Sequence, residues 1–118
     1  MLRDFFLPGV LVASLFALGC ASEVGNDGDR VGGPCVVSGE CFIDSRCETG
    51  PAWPGGYCAQ ACDSDAECPD GSRCTERGQI CVVECAADDA CRSDEGYTCQ
   101  ALEARGVGGT FMGCVFRE

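Results

Sequence analysis

The chain has 118 residues and a formal net charge of −11, from 8 Arg and no Lys against 19 Asp plus Glu. It contains 13 Cys, yet only 16 of the 84 residues from Cys35 onwards are Val, Ile, Leu, Met, Phe, Trp or Tyr. This apolar surface is too small to offset the ordering entropy of the chain without cross-links, which excludes a conventional single-core fold and a polytopic membrane protein.

The N-terminal residues have the pattern of a signal peptide. Residues 5–18 are mostly apolar, a run of fourteen that is shorter than the roughly 20 residues needed to span a bilayer. Arg3 precedes the run and small residues follow it, so we assign residues 1–19 to a secretory signal peptide. This predicts an exported protein.

Two cleavage sites fit the end of this segment. Residues 17–20 (Ala-Leu-Gly-Cys) resemble the lipobox of bacterial lipoproteins, in which the Cys becomes the lipidated first residue, here Cys20. An ordinary signal peptidase cutting after Ala21 is the alternative. Either route leaves twelve Cys for disulfides. A lipidated chain would lie in the outer membrane, the periplasm or at the cell surface, with the lipid anchor as its only membrane contact, and an unlipidated chain would be extracellular.

Residues 20–34 are rich in Gly, Asn and Asp and show no periodicity, so we predict a flexible tether. At its length, such a tether would hold the folded part roughly 20 Å from Cys20.

The remaining cysteines repeat with a period of about 25 residues, which indicates tandem modules. Three sets of four define repeat 1 (residues 35–58), repeat 2 (62–81) and repeat 3 (85–114). Matching side chains support the repeat, because Ser38, Asp65 and Asp88 each stand three residues before the second Cys of their set. A Gly between the third and fourth Cys predicts a short β-hairpin in each repeat. We therefore predict a small disulfide-rich fold with little helix, except for one or two helical turns at residues 100–105.

Each set of four Cys allows three pairings, and the spacing does not choose among them. The arrangement resembles the amino-terminal part of EGF-like modules, in which the first Cys pairs with the third and the second with the fourth. That likeness implies the pairs Cys35–Cys47, Cys41–Cys58, Cys62–Cys74, Cys68–Cys81, Cys85–Cys99 and Cys91–Cys114. The chain also resembles small cysteine-rich repeat lipoproteins of bacteria, which implies export and disulfides rather than an activity.

Several chemistries are disfavoured by the residues present. The chain has no His, no Lys and no C-x₂-C pair, so we predict no enzyme, no thiolate metal site and no cofactor. The acidic balance disfavours nucleic acid. Calcium binding by Asp63, Asp65, Glu67 and Asp70 remains an alternative to a solvated acidic face.

A binding role remains, with an unknown protein or surface as partner and an undetermined oligomeric state. Trp53 is the only Trp and lies in the longest loop of repeat 1, while Phe111 and Met112 lie in an apolar Gly-rich segment of repeat 3. The alternative for both segments is local packing. We predict a non-catalytic interaction or structural module, or else a protease inhibitor presenting residues 48–57 or 100–113.

Overall fold

The computed structural model describes residues 23–116, so residues 1–22, with the predicted signal peptide and Cys20, lie outside the described part. Six short strands form three antiparallel hairpins, one in each repeat. The strands are β1 (Arg46–Glu48), β2 (Tyr57–Ala59), β3 (Ser72–Thr75), β4 (Ile80–Val83), β5 (Tyr97–Glu103) and β6 (Thr110–Phe116). Helix within residues 23–116 is limited to single 3₁₀ turns at Ser38–Glu40, Asp65–Glu67, Asp88–Ala90 and Ser93–Glu95. The predicted fold class, small and disulfide-rich with short hairpins, is confirmed.

Six disulfides hold the hairpins, each set of four Cys pairing first to third and second to fourth. The bonds join Cys35 to Cys47, Cys41 to Cys58, Cys62 to Cys74, Cys68 to Cys81, Cys85 to Cys99 and Cys91 to Cys114, the pairs that the EGF-like resemblance implies. The third and fourth Cys of a repeat lie directly opposite on the two strands, as Cys74 and Cys81 do. Opposite residues of an antiparallel pair point to the same face, so both disulfides fasten the preceding loop to one face of the hairpin.

The polar residue that recurs before the second Cys has a structural role. Asp65 Oδ1 accepts a hydrogen bond from the backbone N–H of Cys74 at 2.9 Å. Asp88 and Ser38 accept equivalent bonds from the amides of the third Cys in their own repeats. Each side chain therefore satisfies an outward-facing amide of the first hairpin strand and ties the 3₁₀ turn to it.

Residues 23–34 are ordered rather than a flexible tether, which corrects the sequence-based prediction. Gly32 N–H donates to Cys58 O at 2.8 Å, and Cys58 N–H donates to Gly33 O at 2.9 Å. In repeat 2 the linker plays the same part, because Cys81 N–H donates to Gln60 O. Residues 23–34 thus supply repeat 1 with the edge partner that a linker supplies to the later repeats, and buried Val31 holds them in place.

The three repeats share one hydrophobic cluster instead of standing as separate modules. Its non-Cys members are Val31, Tyr57, Ala59, Ile80, Val82, Val83, Tyr97, Leu102, Ala104, Phe111 and Val115. The fit is close where β4 meets the hairpin of repeat 3, since a Cβ on Gly113 would lie 2.7 Å from the Leu102 side chain of the same hairpin and 3.0 Å from the Val82 side chain of β4. Tyr57 and Ile80 occupy the equivalent positions of the other repeats, so this contact explains the small residue in repeat 3.

The prediction of helical turns at residues 100–105 is wrong. Residues 97–103 form β5, with Leu102 opposite Phe111 in the cluster and Cys99 opposite Cys114. The stretch contains good helix formers, but packing and the disulfides decide the conformation, because intrinsic propensity is worth only about 0.7 kcal/mol per residue or less.

Candidate interaction surface

Trp53 lies in an aromatic cluster where repeats 1 and 3 meet. Its ring centroid is 4.9 Å from that of Tyr57 and 6.5 Å from that of Tyr97, and the side chain is half-buried. Tyr97 reaches across the same boundary, because its hydroxyl donates to Pro54 O at 2.9 Å. The long loop of repeat 1 is therefore turned inward by Trp53, which packs locally and does not project into solvent.

Arg92 fastens the same boundary with a buried guanidinium. Nη1 donates to Gly32 O at 3.1 Å and to Gly56 O at 2.7 Å, while Nε donates to Glu95 at 2.7 Å. The group also lies 4.7 Å from the centre of the Tyr97 ring. Burial opposes the charge, but the hydrogen bond that Arg92 donates to Glu95 and the nearby Tyr97, Glu95 and Tyr57 outweigh it and raise the pKa of Arg92. The role of this buried cation is therefore structural: it holds repeats 1 and 3 together through these partners.

The side chains of Phe111 and Met112 point to opposite faces of β6, as neighbours in a strand do. Phe111 is buried, and the Arg73 guanidinium lies 4.9 Å from its ring centre. Met112 is 43% exposed. The structure therefore does not bring Trp53, Phe111 and Met112 to one surface, and Met112 alone among them presents a large exposed side chain.

Three aliphatic side chains of repeat 1 are far more exposed. Val36 is 78% exposed, Val37 is 59% exposed and Ile43 is 87% exposed. They occupy the two loops that flank Cys41, and we call them the repeat-1 apolar loops. Of the five large hydrophobic side chains exposed within residues 23–116, these are three, the others being Val107 and Met112. These exposed aliphatic side chains make the repeat-1 apolar loops the candidate interaction surface.

Glu40 fixes the backbone of the first of these loops. Its carboxylate accepts hydrogen bonds from the backbone N–H groups of Val36 at 2.7 Å and Val37 at 3.1 Å. These two bonds lower the pKa of Glu40. Because both amides turn inward to the carboxylate, the loop keeps one backbone conformation while both Val side chains face solvent.

The second loop is a turn fixed to residues 23–34. Phe42 N–H donates to Asp29 O at 2.7 Å, and Ser45 Oγ donates to Arg30 O at 2.9 Å. The Arg30 guanidinium lies 5.3 Å from the centre of the Phe42 ring. Ile43 lies between these two hydrogen bonds, so its side chain is exposed although the backbone of the loop is fixed.

Repeat 2 shows that the scaffold does not need hydrophobic residues at these positions. Counted from the first and second Cys of the set, Val36 corresponds to Asp63, Val37 to Ser64 and Ile43 to Asp70. Asp63 and Asp70 are both exposed. The sequence prediction missed the repeat-1 apolar loops, although aligning the repeats position by position would have identified them.

Three of the four acidic residues proposed for calcium, Asp63, Asp65 and Glu67, already have protein partners, Asp63 through an ion pair with Arg105 at 3.3 Å. Asp65 forms an ion pair with Arg73 at 2.8 Å as well as accepting the Cys74 amide, and Glu67 accepts the amide of Asp63. Burial raises the pKa of Asp65, but the bonds to Cys74 and Arg73 outweigh this and lower it overall. Sulfur atoms of three Cys also lie close together in each repeat, but these atoms are bonded in disulfides and offer no thiolate.

The comparisons with known proteins give no family. Within residues 23–116, no helix has the length and hydrophobicity that a bilayer-spanning segment requires. No protein-family model, curated protein or solved structure matches the chain. The case for function therefore depends on the chain's own residues.

Proposed function

We propose that this chain is an exported, non-catalytic interaction module, anchored by a lipid at Cys20 and presenting the repeat-1 apolar loops to its partner. Dense disulfides are typical of proteins from oxidising compartments, and the six bonds of this small chain fit that setting. The lipobox-like residues 17–20 and the apolar run before them support export and anchoring. The resemblance to small cysteine-rich repeat lipoproteins of bacteria agrees with this proposal.

The observation that carries the binding role is the difference between repeats 1 and 2. The two repeats share their disulfide pairing and the 3₁₀ turn, yet exposed Val36 and Ile43 replace exposed Asp63 and Asp70. Exposing a large aliphatic side chain brings no folding stabilisation, because the hydrophobic contribution comes from area removed from water. Binding of a partner would remove the Val36 and Ile43 side chains from water and so supply this stabilisation.

The protease-inhibitor alternative has less support. Of its two candidate loops, the first turns Trp53 toward Tyr57, and most of the second is paired within β5 and β6. This leaves the tip at residues 104–109, where Val107 is exposed. An inhibition panel against secreted proteases tests that alternative directly, and inhibition abolished by Val107→Asp would favour it.

Non-reducing peptide mapping together with the mass of the mature N-terminus tests the proposal. We expect a chain that begins at an acylated Cys20 and contains the six first-to-third and second-to-fourth disulfides. An unmodified N-terminus at Ser22 would contradict the anchor. A dozen free thiols in the native material would contradict export into an oxidising compartment.

A further inference from the structure

We propose that the repeat-1 apolar loops, formed by Val36, Val37 and Ile43, dock on the surface of the bilayer that holds the lipid anchor. This inference rests on the proposed function, because it assumes an anchor at Cys20. It goes beyond that function by naming lipid as the partner of the loops. Three features support it: the short connection to Cys20, the position of the loops and their chemistry.

The ordered body begins close to the anchor. The Arg30 and Val31 amides both donate to Glu23 O at 3.0 Å, so the folded part extends to Glu23. Three residue steps separate Cys20 from Glu23, and fully extended they span only about 10 Å. The body would therefore sit against the bilayer surface, much closer than a flexible tether over residues 20–34 would place it.

The Ile43 loop, the second of the repeat-1 apolar loops, lies near the point where the chain leaves the body. Arg30 forms an ion pair with Glu23 at 3.7 Å, and the same guanidinium lies over the Phe42 ring at 5.3 Å. Ile43 is the next residue after Phe42. One arginine thus connects the exit toward Cys20 with the more exposed of the two loops. The exit also borders repeat 2, because a Cβ on Gly71 would lie 3.4 Å from the Val24 side chain. The anchor would therefore hold both repeats near the membrane, and the apolar side chains of repeat 1, rather than the exposed acidic ones of repeat 2, would enter the lipid.

The chemistry of the loops suits shallow burial among lipids. Three aliphatic side chains are too few to recruit a free protein, but an anchored body has already lost most of its translational freedom, so a small apolar contact selects its orientation. The net charge is −11, and Glu40 and Asp44 belong to these same loops. We therefore expect docking on zwitterionic lipid and weaker docking on anionic lipid.

Matched tryptophan variants test the docking. Ile43→Trp places a reporter on the repeat-1 apolar loops, and Asp70→Trp places one at the equivalent position of repeat 2, with Trp53 as a constant background in both. The mature chain is reconstituted in phosphatidylcholine vesicles containing brominated acyl chains. If its N-terminal mass shows no lipid, a histidine tag at the mature N-terminus on nickel-chelating lipid replaces the anchor. The docking test then stands apart from the test of lipidation.

We expect quenching of Ile43→Trp to exceed that of Asp70→Trp several-fold, and to fall when phosphatidylglycerol is added. Equal quenching of the two variants would overturn the proposal. Hydrogen exchange on the unsubstituted chain gives an independent reading: amides of residues 36–46 should be slowed by the vesicles while those of residues 63–73 are not, and no difference would also overturn it. If instead the anchor-free chain dimerises in solution and Val36→Asp with Ile43→Asp restores the monomer, the loops bind a second copy and lipid docking is wrong.

Discussion

Arg92 Nη1 donates a hydrogen bond to Gly56 O at 2.7 Å, although the two residues belong to repeats 3 and 1. The same guanidinium nitrogen reaches Gly32 O in the segment that precedes repeat 1. Three parts of the chain that are distant in sequence are therefore held by one side chain. Repeats 1 and 3 meet around this charge and the neighbouring aromatic cluster, so each depends on the other for part of its stability.

Replacing Arg92 should destabilise the whole protein. Arg92→Ala removes a buried cation and leaves the carbonyls of Gly32 and Gly56 without a donor, so we expect a loss of about 3 kcal/mol in the free energy of unfolding. Urea denaturation with the disulfides intact measures it. Arg46→Ala is the matched control, because Arg46 pairs with Glu48 at an exposed site and its loss should cost about 0.5 kcal/mol or less. Equal denaturation midpoints for the two variants would contradict the assigned role of Arg92.

The recurring polar residue before the second Cys gives a graded test. Asp65→Ala leaves the Cys74 amide without its acceptor and removes the ion pair with Arg73, which should cost about 2 kcal/mol. Asp65→Ser retains a hydroxyl acceptor, as Ser38 does in repeat 1, so it should lose less than half as much. Urea midpoints of both variants, with the exposed Asp70→Ala as control, decide the order. Identical losses in the Ala and Ser variants would show that the ion pair, rather than the amide bond, carries the effect.

The same residue should make stability fall in acid. The pKa of Asp65 is lowered from its ordinary value of 3.8, because the bonds to Cys74 and Arg73 outweigh the opposing effect of burial. A lowered pKa in the folded state contributes stability above the unfolded pKa, and that contribution is lost as the pH falls through the folded pKa. The difference in urea midpoint between the unsubstituted chain and Asp65→Ala should therefore shrink below about pH 3.8. A difference that stays constant down to pH 2 would contradict the assignment.

The sequence predicted those features that depend on local spacing. Cys at regular intervals, with Gly between the third and fourth, predicted three hairpins, and the matching Ser38, Asp65 and Asp88 indicated that the three sets are equivalent. The shared cluster could not be predicted in the same way, because it joins single residues such as Val31 and Tyr97 from distant segments. The order of residues 23–34 was missed for a related reason, since their amides bond to β2, which a local pattern does not reveal.

Residue type alone did not identify the exposed hydrophobic surface of repeat 1. Trp53 and Phe111 were predicted binding residues partly because aromatic side chains are favoured in binding sites, but aromatic side chains also pack the interior, as Tyr57, Tyr97 and Phe111 do here. Val36 and Ile43 are identified by a different comparison, because each is an exposed hydrophobic residue at a position where repeat 2 has an exposed Asp. Aligning the repeats position by position therefore identifies these exposed positions, which residue type alone did not.

Both tyrosines of the chain should resist ionisation. Burial raises the pKa of Tyr97 to about 12, and burial also raises the pKa of Tyr57 above its ordinary value of 10.0. Stability from a raised pKa is present below the unfolded pKa and is lost as the pH rises through the folded pKa. Tyrosinate absorbance of the native protein should therefore stay low at pH 10–11, whereas the reduced chain in urea should titrate near 10. A native titration midpoint near 10 would show that the two rings are solvent-accessible and would contradict the aromatic cluster.

Reduction should unfold residues 35–116 even though the repeats share a hydrophobic cluster. Each bridge closes a loop of 12 to 23 residues, which would contribute about 3 kcal/mol in the loop-entropy model, with contributions that do not simply add. The cluster contains only a few large side chains, too few to offset the entropy of ordering some eighty residues. We expect the reduced and alkylated chain to lose its circular dichroism signal and to be cut rapidly by proteases, with the oxidised protein at the same pH as control. A reduced chain that kept both its spectrum and its protease resistance would show that packing, and not the six disulfides, determines the fold.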